Sequence, residues 1–249
     1  MTYRKRSTTY SCQALSCIVL LVTPRSATAT KSDLSRAAIV ERALSVMDAE
    51  GPDAVTIRRI AQEFGVTPMA LYWHVANKDE LLAAMGDALL TDVAPPVATG
   101  PWSTQLRGVV EALVGELSKH PAAAELVFPR ILVNESGLRV TEFTLALLED
   151  AGFTPEQAAD LARMGLQTAM MLVTQLPGAE NQSARDQRDA LLAEKRAHVE
   201  GLPEELYPHV RAAAGPLTDC DDEAAYYTFG IDLYVEGAQA VLRRQKRTR

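Results

Sequence analysis

Cysteine is scarce in this sequence. Cys12, Cys17 and Cys220 are the only three among 249 residues, too few for a disulfide framework, and no CxxC pair or Cys/His ladder marks a structural zinc site. Glycine and proline, at 14 and 13, are too few for a collagen-like fibre, and a 47% hydrophobic content is too high for a disordered tail. The apolar stretch from Ala14 to Val22 falls far short of the roughly 20 residues that span a bilayer. There is no G-x-S-x-G elbow, no HExxH, no phosphate loop and no GxGxxG, so the commonest hydrolase, metalloprotease and nucleotide-binding classes lack their signatures. No catalytic residue, metal or cofactor is expected. The length suits one large domain or two modest ones that stand on their own core in a reducing compartment.

Charge is unevenly placed. The formal net charge is −7, from 25 basic and 32 acidic residues, and as a whole such a chain is a poor partner for phosphate. Residues 1–31 nevertheless hold Arg4, Lys5, Arg6, Arg25 and Lys31 with no acid, and the last seven hold Arg243, Arg244, Lys246, Arg247 and Arg249. Every acid lies between Asp33 and Glu236. Residues 1–31 also imitate a secretory signal, with a basic start, a short apolar stretch interrupted by Ser16, and Ala27-Thr28-Ala29 as a cleavage-like site. The competing reading is a disordered leader, or an upstream start codon that adds residues foreign to the fold. That reading is preferred on the strength of the residues that follow Lys31.

From Ser32 onward the periodicity is helical, and no alternating strand pattern persists. Val40, Ala43, Leu44 and Met47 form one stripe of a first helix ended by Gly51-Pro52. Short helices are expected near 57–64 and 68–75, and Asn77 with Glu80 forms a capping-box pattern opening a fourth helix toward Thr91. The proline-rich stretch Ala94 to Pro101 reads as a linker. Beyond it, helices are expected near 103–119, 135–151, 155–175, 203–214 and 222–245. Thr154-Pro155-Glu156-Gln157 is a helix start with its own cap. Pro177 to Gly201 reads as a mobile loop with a weak helix around 184–197. The expected organisation is a leader over 1–31, a first helical domain over 32–93 and a second over 102–245, all-α throughout.

The informative stretch is VTIRRIAQEFGVTPMALYWHVANK, Val55 to Lys78. Thr56 can cap a short helix whose inward residues are Ile57, Ile60, Ala61 and Phe64. Gly65 supplies the turn, where the missing Cβ permits positive φ. Thr67 caps the next helix, Pro68 sits where no N–H is needed, and Leu71 and Val75 anchor it inward. Its outer face then carries Pro68, Met69, Ala70, Tyr72, Trp73 and His74. Two short helices joined through glycine follow the helix-turn-helix plan.

Leu34 to Leu90, with TIRRIAQEFGV followed by LYWHVANKDELL, resembles the DNA-binding domain of the TetR family of transcriptional regulators, its tetracycline-repressor branch in particular. The resemblance implies that Arg58 reaches a guanine; a bidentate contact of that kind discriminates by about 1–3 kcal/mol. Pro68, Met69 and Ala70 match the base-facing tip, but being apolar they suit thymine methyls and imply an operator unlike that of the tetracycline repressors. Thr56, Tyr72, Trp73, His74 and Lys78 match positions that hold phosphates and set register, and Thr67 opens the reading helix. Arg59 is expected to be a solvated charge. Between Asp33 and Asp87 nine acids face five bases, so placement rather than net charge must favour DNA. Few phosphate contacts mean a shallow salt dependence per subunit, and useful affinity should need a dimer. Arg25 and Lys31 could form a backbone-tracking arm.

For the second domain the resemblance implies a four-helix bundle shared with a second copy. Its expected contacts are Leu161, Gly165, Leu166 and Ala169 on one helix, with Gly230, Leu233, Tyr234, Gly237 and Val241 on the last. It also implies a small-molecule pocket, for which Leu113, Leu117, His120, Phe143, Leu147, Met164, Gln167 and Met171 are candidates. A metal-chelated effector is possible in such a pocket but is not predicted, because His120, His198 and His209 do not form a recognisable set. The reading is therefore a cytoplasmic, ligand-released homodimeric repressor of double-stranded DNA with no membrane partner. An activator on the same scaffold and an exported enzyme are the alternatives.

Overall fold

The computed structural model describes residues 34–94, 99–176 and 185–248. The leader, the basic arm, Cys12 and Cys17 lie outside them. The described residues contain helices and turns but no strand, as the periodicity predicts.

Helix α1 (Arg36–Glu50) starts where the Ser35 side chain accepts the Ala38 N–H, and it stops at Gly51, whose φ of 86° suits a residue without Cβ. A 3₁₀ turn at Pro52–Ala54 leads into α2 (Ile57–Glu63), then α3 (Pro68–Leu71) and α4 (Lys78–Thr91). Gly65 turns the chain between α2 and α3 with φ 63°, as its position implies. After Leu71 the backbone continues in turns to Val75, so the second helix of the motif is shorter than the expected 68–75. The ladder tightens there, the His74 N–H donating to the Leu71 carbonyl three residues back at 2.8 Å. Asn77 accepts the Glu80 N–H at 2.8 Å, while the Glu80 carboxylate accepts the Ala76 N–H at 2.6 Å instead of closing the box on the cap residue.

The rest comprises α5 (Trp102–Leu117), a 3₁₀ segment at Pro121–Val127, α6 (Glu135–Ala151), α7 (Pro155–Thr174), α8 (Arg185–Glu200), α9 (Pro208–Ala212), α10 (Ala214–Thr218) and α11 (Glu223–Thr248). The capping box at Thr154 and Gln157 is complete in both directions. The weak helix expected around 184–197 is the 16-residue α8. One expectation is corrected: the helix expected at 203–214 is two short ones. Polarity signals solvation rather than loop in α8. Ala190, Ala193 and Ala197 favour helix, Arg196 and Glu200 pair across one turn at 2.9 Å, and the helix packs on α10.

One apolar cluster runs from Ile39 on α1 through Leu71, Leu81 and Met85 to Leu113, Leu166 and Val235. A smaller one gathers Leu106, Leu148, Phe153, Leu161 and Leu242, with Trp102 edge-on to Phe153 at 5.5 Å. The N-terminal helices and the long C-terminal ones therefore share a continuous interior. No helix among the described residues is long and apolar enough to cross a membrane.

Candidate nucleic-acid interface

The turn between α2 and α3 is held from beneath. Ile57, Ile60, Ala61, Leu71 and Val75 are buried and Phe64 is half-buried, so the inward set matches the sequence pattern. What this anchoring leaves outside is unusual. Trp73 is 87% exposed and Met69 67%, with Tyr72 also exposed. Apolar side chains of this size left in water together mark a surface made for contact. Pro68 and Thr67 are exposed, whereas Ala70 and His74 are half-buried. Thr56 caps α2 by accepting the Arg59 N–H at 3.0 Å, which leaves its hydroxyl hydrogen available. Thr67 stands at the cap position of α3, but its side chain makes no capping bond.

Ion pairing sorts the cations. Arg36 pairs with Glu80 at 2.5 Å and donates to the His74 carbonyl at 2.8 Å; Arg42 reaches Glu63 at 3.5 Å. Arg59 is gripped by Glu50 at 2.5 Å and by Glu63. Its hydrogen bonds to Glu50 and then to Glu63 push its guanidinium pKa further up, and the bond donated by Arg59 holds the Glu50 carboxyl below its ordinary value. Arg59 is thus a structural tie, not the solvated charge expected. Arg58 and Lys78 are both exposed and have no carboxylate partner among the described residues. Among the described residues of α1 to α4 these are the two basic side chains without an ion-pair partner, and they flank the helix-turn-helix motif.

Behind this head lies an apolar cavity of about 370 Å³, within the roughly 300–1,000 Å³ range of small-molecule sites. It sits between α5, α6 and α7, with Phe128, Ile131 and Leu132 from the connecting segment and Tyr234 from α11. Of the eight pocket candidates only Leu113 lines it. Leu117 is fully buried in the core, and the His120 ring is held by Asp48 at 2.7 Å. Phe143 and Leu147 border a separate hollow beside Trp102. Met164, Gln167 and Met171 lie on the exposed side of α7. A helical apolar stripe does not tell which side of a helix meets a void, and this is why seven candidates fall elsewhere.

The expected dimer residues divide in the same way. Leu161, Leu166 and Ala169 are buried inside this subunit, and the Tyr234 hydroxyl donates to the Leu161 carbonyl at 2.7 Å. Gly165 makes room for that tyrosine, since a Cβ there would lie 2.9 Å from its oxygen. Gly230 likewise accommodates Leu172. These small residues bring α7 and α11 of one chain together. Leu233 and Gly237 are exposed and Val241 is half-buried. Also exposed are Phe229, at 65%, and, on α7, Met164 and Met171. The uncovered apolar residues thus include Leu233, which was expected at a partner contact, and Phe229, Met164 and Met171, which were not.

A family model described as bacterial regulatory proteins, tetR family, matches residues 39–85, and one for the tetracyclin repressor-like C-terminal domain matches residues 94–242. The chain belongs to the TetR family of transcriptional regulators. It is similar to an HTH-type transcriptional regulator of Saccharopolyspora erythraea, 30% identical over 222 residues that cover 87% of this chain and 89% of the relative. It is also similar to the class D tetracycline repressor protein of Escherichia coli, 25% identical over 84% of this chain and 91% of that protein. Among solved structures, the Streptomyces coelicolor TetR family protein ActR in complex with (S)-DNPA superposes with a TM-score of 0.65 at 29% identity, covering 84% of this chain and 98% of that one.

In this TetR-family chain the reading head and the cavity wall are joined at three points that leave no trace in the sequence pattern. Gly86 on α4 packs against the Leu126 carbonyl. Asp87, next to it, accepts two hydrogen bonds from Arg130, at 2.7 and 2.9 Å, which push the Arg130 pKa up. Asp48 on α1 holds His120. All three partners belong to or adjoin the segment that supplies Phe128, Ile131 and Leu132 to the cavity. Pairs 43 and 72 residues apart are beyond the reach of any local motif.

Proposed function

We propose that the chain is a homodimeric repressor that leaves its operator when a small molecule enters the cavity. Exposure of Met69, Tyr72 and Trp73 over a buried Leu71 and Val75 carries this reading, together with unpaired Arg58 and Lys78 on the same motif. The apolar tip suits thymine methyls in the major groove, Arg58 a guanine, and Thr56, Tyr72, Trp73, His74 and Lys78 the phosphates. Pairing of two copies through the uncovered faces of α7 and α11, around Met164, Met171, Phe229 and Leu233, would give twofold symmetry. The two heads would then meet a palindromic site at half-site centres about 34 Å apart. The relatives support repression, since several are named tetracycline repressors. Ligand control is supported by ActR, crystallised with actinorhodin. Emptying an occupied site requires an effector preference of roughly 5.5 kcal/mol for the released form, and the Gly86, Asp87 and Asp48 contacts are the route by which a displaced cavity wall would reach α4 and α1. Footprinting of the DNA upstream of the protein's own gene tests the reading. Two protected half-sites related by a dyad and one helical turn apart are expected, and no protected dyad would refute it.

A further inference from the structure

The cavity lining has a chemistry that selects among ligands. Leu106, Val110, Leu113, Val140 and Leu166 make its body apolar. Two of its hydroxyls are already committed as donors: Thr144 donates to the Val140 carbonyl at 2.8 Å, and Tyr234 to that of Leu161 at 2.7 Å. Both offer a ligand lone pairs only. Among the lining residues Arg163 is the one charge, and there is no carboxylate or imidazole. Within the chain Arg163 pairs with Asp160 three residues back, and both side chains are more than half exposed. A solvent-open pair of this kind is weak and readily exchanged. Among the described residues no three His, Cys, Asp or Glu side chains gather where a metal could be held.

We infer that the cavity takes an apolar molecule bearing an acidic group, with the acid at Arg163, and takes it without a metal ion. A cationic ligand would find no carboxylate on the lining to receive it. A metal chelate would find no side chain of this pocket to complete the metal's coordination. Hydroxyl groups on the apolar body would be accepted by Thr144 and Tyr234. This deepens the effector-release reading and rests on it.

Fluorescence titration of the full chain with two probes that share one ring system tests the inference. The anionic probe is anilinonaphthalene sulfonate, and its neutral counterpart is N-phenylnaphthylamine. Both are expected to bind, and Arg163→Gln should weaken the sulfonate about tenfold, the effect of one lost charge-assisted contact partly open to water, while leaving the neutral probe unchanged. Thr141→Trp, which fills the cavity from α6, should abolish both; if that variant fails to fold, Ala162→Leu fills it from α7. EDTA should change nothing. Equal effects of Arg163→Gln on the two probes would overturn the acid assignment, as would no effect on either. Retention of both probes in a folded, filled variant would overturn the site, and loss of binding in EDTA would overturn its independence of metal. Operator binding is scored separately on the wild-type chain, so failure of the repressor reading would leave the probe results standing.

Discussion

Gly86 allows a prediction whose sign runs against helix propensity. It lies in the middle of α4, where alanine ordinarily stabilises by about 1 kcal/mol over glycine. A Cβ at this position, however, would stand 2.5 Å from the Leu126 carbonyl oxygen, 3.0 Å from its carbon and 2.9 Å from Arg130 Cγ. The arginine stem can yield, but the Leu126 backbone cannot unless the whole 121–131 segment moves and strains the Asp87–Arg130 bonds. Overpacking of this kind costs about 1–3 kcal/mol, and a clash with main chain belongs at the upper end. Subtracting the propensity gain leaves a net loss of about 2 kcal/mol for Gly86→Ala. Gly115 in α5 is the control, because a Cβ there meets nothing within 4 Å. Gly115→Ala should gain about 0.5–1 kcal/mol. Urea unfolding followed by far-ultraviolet circular dichroism, at one fixed protein concentration, should place the two midpoints on opposite sides of the wild type. A Gly86→Ala protein as stable as Gly115→Ala would refute the hard contact between α4 and the cavity wall.

Three further outcomes are expected from the geometry. Leu71→Ala should cost about 2–5 kcal/mol of stability, because it opens a void under the reading head, whereas Trp73→Ala should stay within about 0.5 kcal/mol in the same unfolding assay. A carboxylate on the uncovered α7–α11 face, as Phe229→Glu or Leu233→Glu, should convert a dimer to a monomer in sedimentation experiments while leaving the helical content unchanged. Glu80 tests the sign of an electrostatic contribution. Its bond from the Ala76 N–H, then that from Arg36, hold its carboxyl below the ordinary 4.5. A group depressed on folding adds stability that is present above its unfolded value and is lost as pH falls through the folded one. Glu80→Gln should therefore be less stable than wild type at neutral pH, and the gap should close on acidification below 4.5. A gap independent of pH would assign the effect to the cap geometry alone.

Sequence periodicity is sufficient where one side of a helix decides its fate. The inward positions of α2 and α3, the positive-φ turn at Gly65, the cap at Asn77 and the box at Thr154 and Gln157 all arise from local spacing, and all are present. It is insufficient where partners lie far apart. The apolar stripe of α7 gives Met164 and Met171 the same appearance as Leu161 and Leu166, yet the first pair is exposed and the second buried. Spacing alone does not reveal which of two apolar sides meets α11, and Gly165 and Gly230 have the pattern of a partner contact although they serve Tyr234 and Leu172. Half of the Arg59 tie is hidden for a related reason, since Glu50 lies nine residues away; the other half, Glu63, lies four residues on in helical register and is legible in the spacing. In α8, dense charge makes the helix expected around 184–197 look weak, while its alanines and its Arg196–Glu200 pair sustain it to Glu200.

If the outward side of α3 and its flanking free cations read duplex DNA, two adjacent arginines must behave differently. The decisive comparison is Arg58→Ala beside Arg59→Ala, in fluorescence anisotropy with the footprinted upstream duplex at one salt concentration. Arg58→Ala should weaken binding by about 1–3 kcal/mol per half-site. Arg59→Ala, whose charge is already taken by Glu50 and Glu63, should lower stability but leave the folded protein's affinity unchanged. Wild-type affinity in Arg58→Ala, or a greater loss in Arg59→Ala, would contradict the assignment of this surface to DNA.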